Sequence, residues 1–319
     1  MIDTIKVFIP HSDLPPNYYD SHFLYFSNRK ITRTEDNEFW GSATFKNFFL
    51  QYTKYGLSIE GSLTKYYYGT NQHTLNYFDF TTTIEQLSIE LGLNLKECQV
   101  SRIDLAENIL VTKPVANYYK YFGDAKSLNR VVMNNGLEYR NTNRGIIIYD
   151  KIKELRSNQV PLIPLFQGQK IMRIEYRLKN PRTISKALGI DKTLIADLYV
   201  HYPKLQELWT NSFNSIYKNH DMVVFKNETY IQRDMFKKQL IIAGINNLGG
   251  GQYILDIIKE ARKEKLFAYP NQASNLLRQL KRLMQLPVLT QKSTLVSEIE
   301  KKAKVVAQIA LLDHHVWGD

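Results

Sequence analysis

Apolar and polar positions alternate with a period of two through much of the first 180 residues, and recur with a period near 3.6 through most of the remainder. Ile5-Lys6-Val7-Phe8-Ile9 alternates strictly and predicts a strand, which Pro10 and Pro15-Pro16 break. The segments from Ala43 to Tyr52 and from Leu57 to Leu63 repeat the pattern. Ile84, Leu87 and Leu91 fall at helical spacing, with Gly92 placed to cap, so a helix is expected over 83–91. A strand carrying Asp104 comes next, then a second short helix over 115–122. Further strands are expected around Tyr139, over 146–151 and around Glu175, with a charged stretch and the Pro161/Pro164 loop before the last.

Beyond residue 180 the pattern changes. Residues 184–219 and 230–319 are dominated by helical periodicity. Ile254, Leu255, Ile258 and Ala261 line one face of a predicted helix, while Lys259, Arg262 and Lys263 line another. Ser274 is placed to N-cap a second helix, with Leu276, Leu277, Leu280, Leu283 and Met284 inward and Arg278, Lys281 and Arg282 outward. Gly249-Gly250-Gly251 reads as a turn before the first of these helices, because the Lys-Ser/Thr of a phosphate-binding loop is missing. The expected class is α+β. A mainly antiparallel catalytic domain with flanking helices would occupy 1–180, and a mostly helical, basic DNA-binding region 181–319.

Charge sharpens the second half of that picture. The chain has 42 Lys and Arg against 31 Asp and Glu, a formal net charge of +11. Between Lys259 and Lys304, eleven basic residues face four acidic ones, so most of the excess is concentrated there. A concentrated basic stretch favours a polyanionic partner such as nucleic acid over an ordinary basic enzyme surface. Cys98 is the single cysteine, which excludes an intrachain disulfide and a cysteine-based zinc site. The seven histidines show no His-x-His pair, and the adjacent His314 and His315 read as part of a frayed tail. Neither a signal-peptide pattern nor an apolar run of membrane-spanning length is present, so a soluble, intracellular protein with no membrane partner is expected.

Candidate chemistry sits on three predicted strands. In Gly145-Ile-Ile-Ile-Tyr149-Asp-Lys151, strand alternation places Ile147, Tyr149 and Lys151 on one face. A phenol near an ammonium is a candidate nucleophile, because the cation favours the phenolate. In the second segment, Arg102, Asp104, Ala106 and Asn108 share a face; in the third, Arg173, Glu175, Arg177 and Lys179 do. Those polar faces carry two readings. One is a sheet surface laced with cross-strand ion pairs. The other brings Asp104 and Glu175 together as oxygen ligands of Mg²⁺ or Mn²⁺ beside Tyr149, with Lys151 and Arg173 assisting at a phosphodiester.

The order of four segments resembles the filamentous-phage replication initiators (the phage gene II protein-like, rolling-circle replication endonuclease family) and, more distantly, rolling-circle plasmid initiators. They are Ile59–Lys65 with Tyr68–Asn71, Val100-Ser-Arg-Ile-Asp104, Asn141–Arg144 leading into Tyr149-Asp-Lys151, and Met172-Arg-Ile-Glu175-Tyr-Arg-Leu-Lys179. The resemblance runs from about residue 55 to about 190. It implies that Tyr149 cuts one DNA strand at a replication origin, keeps the 5′ phosphate as a phosphotyrosine and later rejoins strands. Lys151 would support it, with Arg144 near the scissile phosphate. Asp104 and Glu175 would hold the metal, with Glu60, or less directly His73, as a third ligand. Many rolling-circle initiators use a His-hydrophobe-His metal motif, which this chain lacks. The same resemblance implies single-stranded or supercoiled origin DNA as substrate, a host helicase and polymerase as partners, and the bacterial cytoplasm as location. Two other classes stay open: a non-catalytic, replicon-encoded DNA-binding protein, and an RNA-binding or RNA-processing module.

Overall fold

The computed structural model describes residues 1–33, 39–223, 233–247, 250–269, 271–284 and 290–317. The class is α+β. Ten strands form one antiparallel sheet: β1 (Ile2–Pro10), β2 (Ser27–Arg33), β3 (Phe39–Phe45), β4 (Phe48–Thr53), β5 (Gly56–Ser62), β6 (Gln99–Leu110), and then β8 (Asn129–Met133), β9 (Gly136–Arg140), β10 (Arg144–Asp150) and β11 (Ile171–Leu178). Their spatial order is β2-β3-β4-β5-β1-β6-β11-β10-β9-β8. A short strand β7 (Phe122–Ala125) pairs instead with β12 (Ile216–Lys218). The helices are α1 (Tyr18–Ser21), α2 (Leu63–Tyr68), α3 (Tyr77–Leu91), α4 (Ala116–Tyr119), α5 (Lys151–Ser157), α6 (Pro181–Leu188), α7 (Ile195–Val200) and α8 (Tyr202–Asn214), followed by α9 (Arg233–Asn247), α10 (Gly250–Lys263), α11 (Gln272–Met284) and α12 (Thr294–Trp317).

One face of the large sheet is apolar, and the alternation dictates which. Ile5, Val7, Ile59, Ile103, Leu105, Ile148, Ile174 and Tyr176 enter a single buried cluster with residues of α3, α6, α7, α8 and α12. The helix α3 begins earlier than its apolar spacing implies, because the Asn76 side chain accepts the Asp79 N–H as an N-cap; Gly92, in the left-handed region, closes it as expected. Fully buried Trp209 of α8 donates its indole N–H to the Ile174 carbonyl at 3.1 Å, tying the helix layer to the middle of the sheet. The opposite face of the central strands is left to polar residues, and this is where the candidate site lies.

Two compact units make up the chain: Met1–Lys218 with Leu295–Asp319, and Asn219–Thr294. The first unit therefore continues past the boundary expected at residue 180. The physical reason is that Ile184, Leu188, Leu198, Leu205, Trp209 and Phe213 are buried in the core of the large sheet and not in the small core of the second unit. The returning helix α12 also belongs to the first unit, where Ile299 and Ala303 are buried in the same core. Its residues His314 and His315, expected in a frayed tail, fall within the helix, and their side chains lie outside the described residues.

In the second unit α9, α10 and α11 share a small core of Ile245, Leu255 and Leu280, with Ile254, Ile258 and Leu277 packed on it. A pair of short strands, β13 (Asp221–Val223) and β14 (Thr290–Lys292), brings its ends together. Of the expected glycine turn, Gly249 lies outside the described residues and Gly250 already opens α10. Among the described residues no helix is long and apolar enough to cross a membrane.

Candidate active site on the polar face of the sheet

Strands β6, β11 and β10 lie side by side, and their register decides which polar residues meet. Asp104 sits opposite Arg177, Asn108 opposite Arg173, and Tyr149 opposite Arg173 on the other side. On the β1 side of β6, Arg102 sits opposite Lys6, which in turn faces Glu60 of β5. Opposite charges thus fall next to one another on neighbouring strands.

They form a continuous ladder. Lys6 Nζ is 3.3 Å from Glu60 Oε2, and Arg102 Nη1 donates to Glu60 Oε1 at 2.7 Å. The same guanidinium grips Asp104 with two hydrogen bonds, of 2.9 and 2.7 Å. Arg177 bridges Asp104, at 3.3 Å, and Glu175, to which it donates at 2.7 Å. Arg173 donates from Nε to Glu175 Oε1 at 3.0 Å and pairs through Nη2 with Asp3 at 3.1 Å. Arg173 is fully buried, and Asn108 accepts one of its remaining N–H groups at 3.2 Å. Charge-assisted, two-pronged contacts of this kind fix side-chain positions as well as neutralising charge.

Tyr149 hangs on this ladder. It is half-buried, and its hydroxyl donates to Glu175 Oε1 at 2.8 Å. Burial pushes the Glu175 carboxyl up, but Arg173 and Arg177 outweigh it and hold the group at about 2. The Tyr149 phenol moves the other way: burial and the Glu175 carboxylate raise it well above an ordinary tyrosine, against the pull of Arg173. At rest the site holds a neutral phenol on an ionised carboxylate. Burial likewise raises the Asp104 carboxyl, against its two arginines.

Lys151 is placed differently from the strand reading. Strand β10 ends at Asp150, whose side chain accepts the Lys153 N–H and caps α5, so Lys151 is the first residue of a helix. Its ammonium is fully buried, bonds Glu154 Oε2 at 2.8 Å and lies 6.0 Å from the centre of the Tyr149 ring. Burial and the nearby Arg173 lower its affinity for a proton, while Glu154 opposes them. The contact with Tyr149 is therefore to the ring, through a buried cation.

Arg144 is not brought to this site. It lies five positions before Tyr149 on one strand, an odd offset, so the two occupy opposite faces. Arg144 lines a hollow with Lys126, Ser127, Tyr176 and Leu208. His73 lies tilted against Tyr68, with ring centres 4.6 Å apart.

Asp104, Glu175 and Glu60 are the carboxylates expected to bind Mg²⁺ or Mn²⁺. Each is already bonded to a guanidinium, and Arg102 and Arg177 lie between them. A dication there would be repelled by the arginines that the same oxygens hold. Among the described residues no three of His, Cys, Asp and Glu stand together in a way that could hold a metal ion. In this arrangement the three carboxylates do not fit a divalent cation.

Three contributors escaped the strand patterns. Asp3 and Lys6 of β1 end the ladder, far in sequence from its other members. Gly136 pairs directly with Tyr149, and a Cβ there would strike the Ile148 carbonyl oxygen and lie 2.9 Å from Tyr149 Cβ. Its signal was the Asn134-Asn135-Gly136 sequence, a two-residue hairpin turn between β8 and β9. Set against known proteins, the chain matches no family model and no curated protein.

Proposed function

We propose that this protein is a DNA nicking and joining endonuclease that initiates rolling-circle replication through a covalent phosphotyrosine at Tyr149. The observation that carries the reading is the Tyr149–Glu175 hydrogen bond, set between two arginines on the polar face of the sheet. A nucleophile, an acceptor for its proton and cations for a phosphate are thereby close together. The net charge of +11 and the order of motifs shared with replication initiators support the same substrate.

The resting site is locked, and the ladder indicates how substrate would release it. Arg102 and Arg177 keep 28% and 31% of their side chains exposed, whereas Asp104 and Glu175 are nearly covered. A backbone phosphate meets those two guanidiniums first. As Arg177 turns toward the phosphate, Glu175 loses one of the cations that hold its pKa down and becomes a stronger base. The Tyr149 oxygen then attacks phosphorus as its proton passes to Glu175. The bond from phosphorus to the 3′ oxygen breaks, and that oxygen takes up a proton, which Glu175 gives back through solvent, to leave as a free 3′ hydroxyl with Glu175 again a carboxylate. The 5′ phosphate remains on Tyr149 until a strand's 3′ hydroxyl reverses the step. None of these steps is routed through a metal. The 3′ end would serve a host polymerase, with a helicase opening the duplex, in the bacterial cytoplasm.

The test is an adduct. Labelled single-stranded DNA from the replicon that encodes the chain, incubated with protein and Mg²⁺ or Mn²⁺, should yield a denaturation-resistant protein–DNA band. A second reading, a DNA-binding protein without catalysis, is favoured by the engagement of Glu60, Asp104 and Glu175 with guanidiniums at rest; it predicts salt-sensitive binding and no such band.

A further inference from the structure

The second unit carries a surface of a different kind. Helix α11 packs by Leu277 and Leu280 in the small core it shares with α9 and α10, and Ala273 on the same side of the helix is buried. At the crossing with α10, Gly251 lies so close to Met284 that a side chain at 251 would collide with it. Successive residues of a helix are 100° apart, so Asn275, Arg278, Gln279 and Arg282 fall within one arc opposite that core. All four are exposed. The helix contains no acidic residue along its thirteen positions, and Gln272 and Lys281 flank the arc.

Residue type separates this face from a merely solvated basic one. A solvated face is typically a mixture of acidic and basic residues in i,i+3 or i,i+4 pairs, as on α10, where Lys259 is bonded to Asp256, three residues before it, at 3.0 Å. Here arginine alternates with side-chain amides. Arginine forks match the O6 and N7 of guanine, and Asn and Gln amides match the N6 and N7 of adenine. The geometry is that of a helix following another across a connecting segment, its outer face free to enter a major groove. On α10, Arg262 and Lys263 are exposed in the last turn, next to the segment that leads into α11, and suit the phosphates flanking such a groove.

We infer that α11 is a recognition helix that reads base edges in the major groove of duplex DNA through Asn275, Arg278, Gln279 and Arg282. The inference rests on the proposed DNA partner but not on the nicking step, and it gives the chain a sequence-reading surface separate from Tyr149.

The experiment uses the full chain carrying Tyr149→Phe, so that cleavage does not disturb binding, and selects from a pool of random 30-base-pair duplexes. A shared motif should be enriched. Asn275→Ala with Gln279→Ala should lose or relax that motif by roughly tenfold or more at specific base pairs while retaining salt-sensitive binding to the unselected pool. Arg278→Ala with Arg282→Ala should likewise relax the motif, at its guanine positions, by roughly tenfold or more while retaining salt-sensitive binding to the unselected pool. Duplex RNA should compete poorly, because its major groove is too narrow for a helix. Enrichment of the same motif by both double variants, or equal competition by duplex RNA, would overturn the inference. The adduct assay on single strands reads Tyr149 independently. With Tyr149 restored, a normal adduct from the double variants that lose the motif separates the two surfaces, and a missing adduct from the otherwise native chain with the motif intact counts against the nicking reading alone.

Discussion

The Tyr149 hydroxyl and the Arg173 Nε–H share one acceptor: both donate to Glu175 Oε1, at 2.8 and 3.0 Å. That oxygen sets the state of the whole site. It holds the phenol protonated, and Arg173 and Arg177 keep the carboxylate itself a weak base at about 2. Only a competing anion that draws an arginine away changes the balance.

Replacing Glu175 by Gln removes the proton acceptor while keeping the shape. Nicking should fall by roughly 10²–10⁴-fold, the usual contribution of a positioned acid or base, with DNA affinity little changed. Single-turnover nicking and a binding isotherm on the same preparation read the two separately. Unchanged nicking would remove Glu175 from the chemistry.

The depressed Glu175 pKa also predicts a pH dependence of stability. Its folded value, about 2, lies below the ordinary 4.5, so its contribution is complete above about pH 4.5 and is lost as pH falls toward about 2. Urea midpoints measured between pH 5 and 2 should decline more steeply for the native chain than for Glu175→Gln. Parallel curves would contradict the ladder.

Lys151→Met tests whether the buried cation serves chemistry or the fold. Exchanging a buried charged pair for apolar packing is often neutral, but Glu154 keeps its own charge here and is 31% exposed. Stability by thermal unfolding should change by no more than about 1–2 kcal/mol, whereas nicking should drop if the ammonium beside the Tyr149 ring assists the phenolate. Full nicking by a stable Lys151→Met protein assigns Lys151 to structure alone.

At the far end of the chain, Glu298 of α12 accepts the Thr112 N–H at 2.9 Å and the Thr112 and Tyr118 hydroxyls at 2.8 and 2.7 Å. Burial pushes its carboxyl up, but Lys302 and these donors prevail and bring it to about 2. Glu298→Ala should cost about 1–3 kcal/mol, because a buried tyrosine hydroxyl loses its acceptor. Limited proteolysis should then release the segment from 295 onward before the sheet unfolds. Equal protection in both proteins would show that the apolar contacts of Ile299 and Ala303 hold the helix without it.

Much of the sheet was legible in the sequence, because alternation alone places Arg102 with Asp104 and Arg173 with Glu175 and Arg177 on polar faces. What alternation could not supply was the neighbour. That Asp3 and Lys6 complete the ladder comes from strand order, which no local pattern encodes. The placement of Lys151 hinged on Asp150: an N-capping aspartate before Ile152 and Leu155 marks a helix start, but the preceding apolar run hides it. Arg144 lay an odd number of residues from Tyr149, which already put it on the other face. The extent of the first unit was hidden for a further reason. An amphipathic helix such as α8 declares that one side is buried, not which surface buries it.

The central claim is that the Tyr149 oxygen becomes joined to DNA. The most direct measurement is peptide mapping of the covalent adduct by mass spectrometry, alongside the Tyr149→Phe protein. The account predicts a 5′-phosphoryl nucleotide on the peptide containing Tyr149, a free 3′ hydroxyl on the other product, and no adduct from the folded variant. An adduct on a different tyrosine, or nicking by Tyr149→Phe at the native rate, would contradict it.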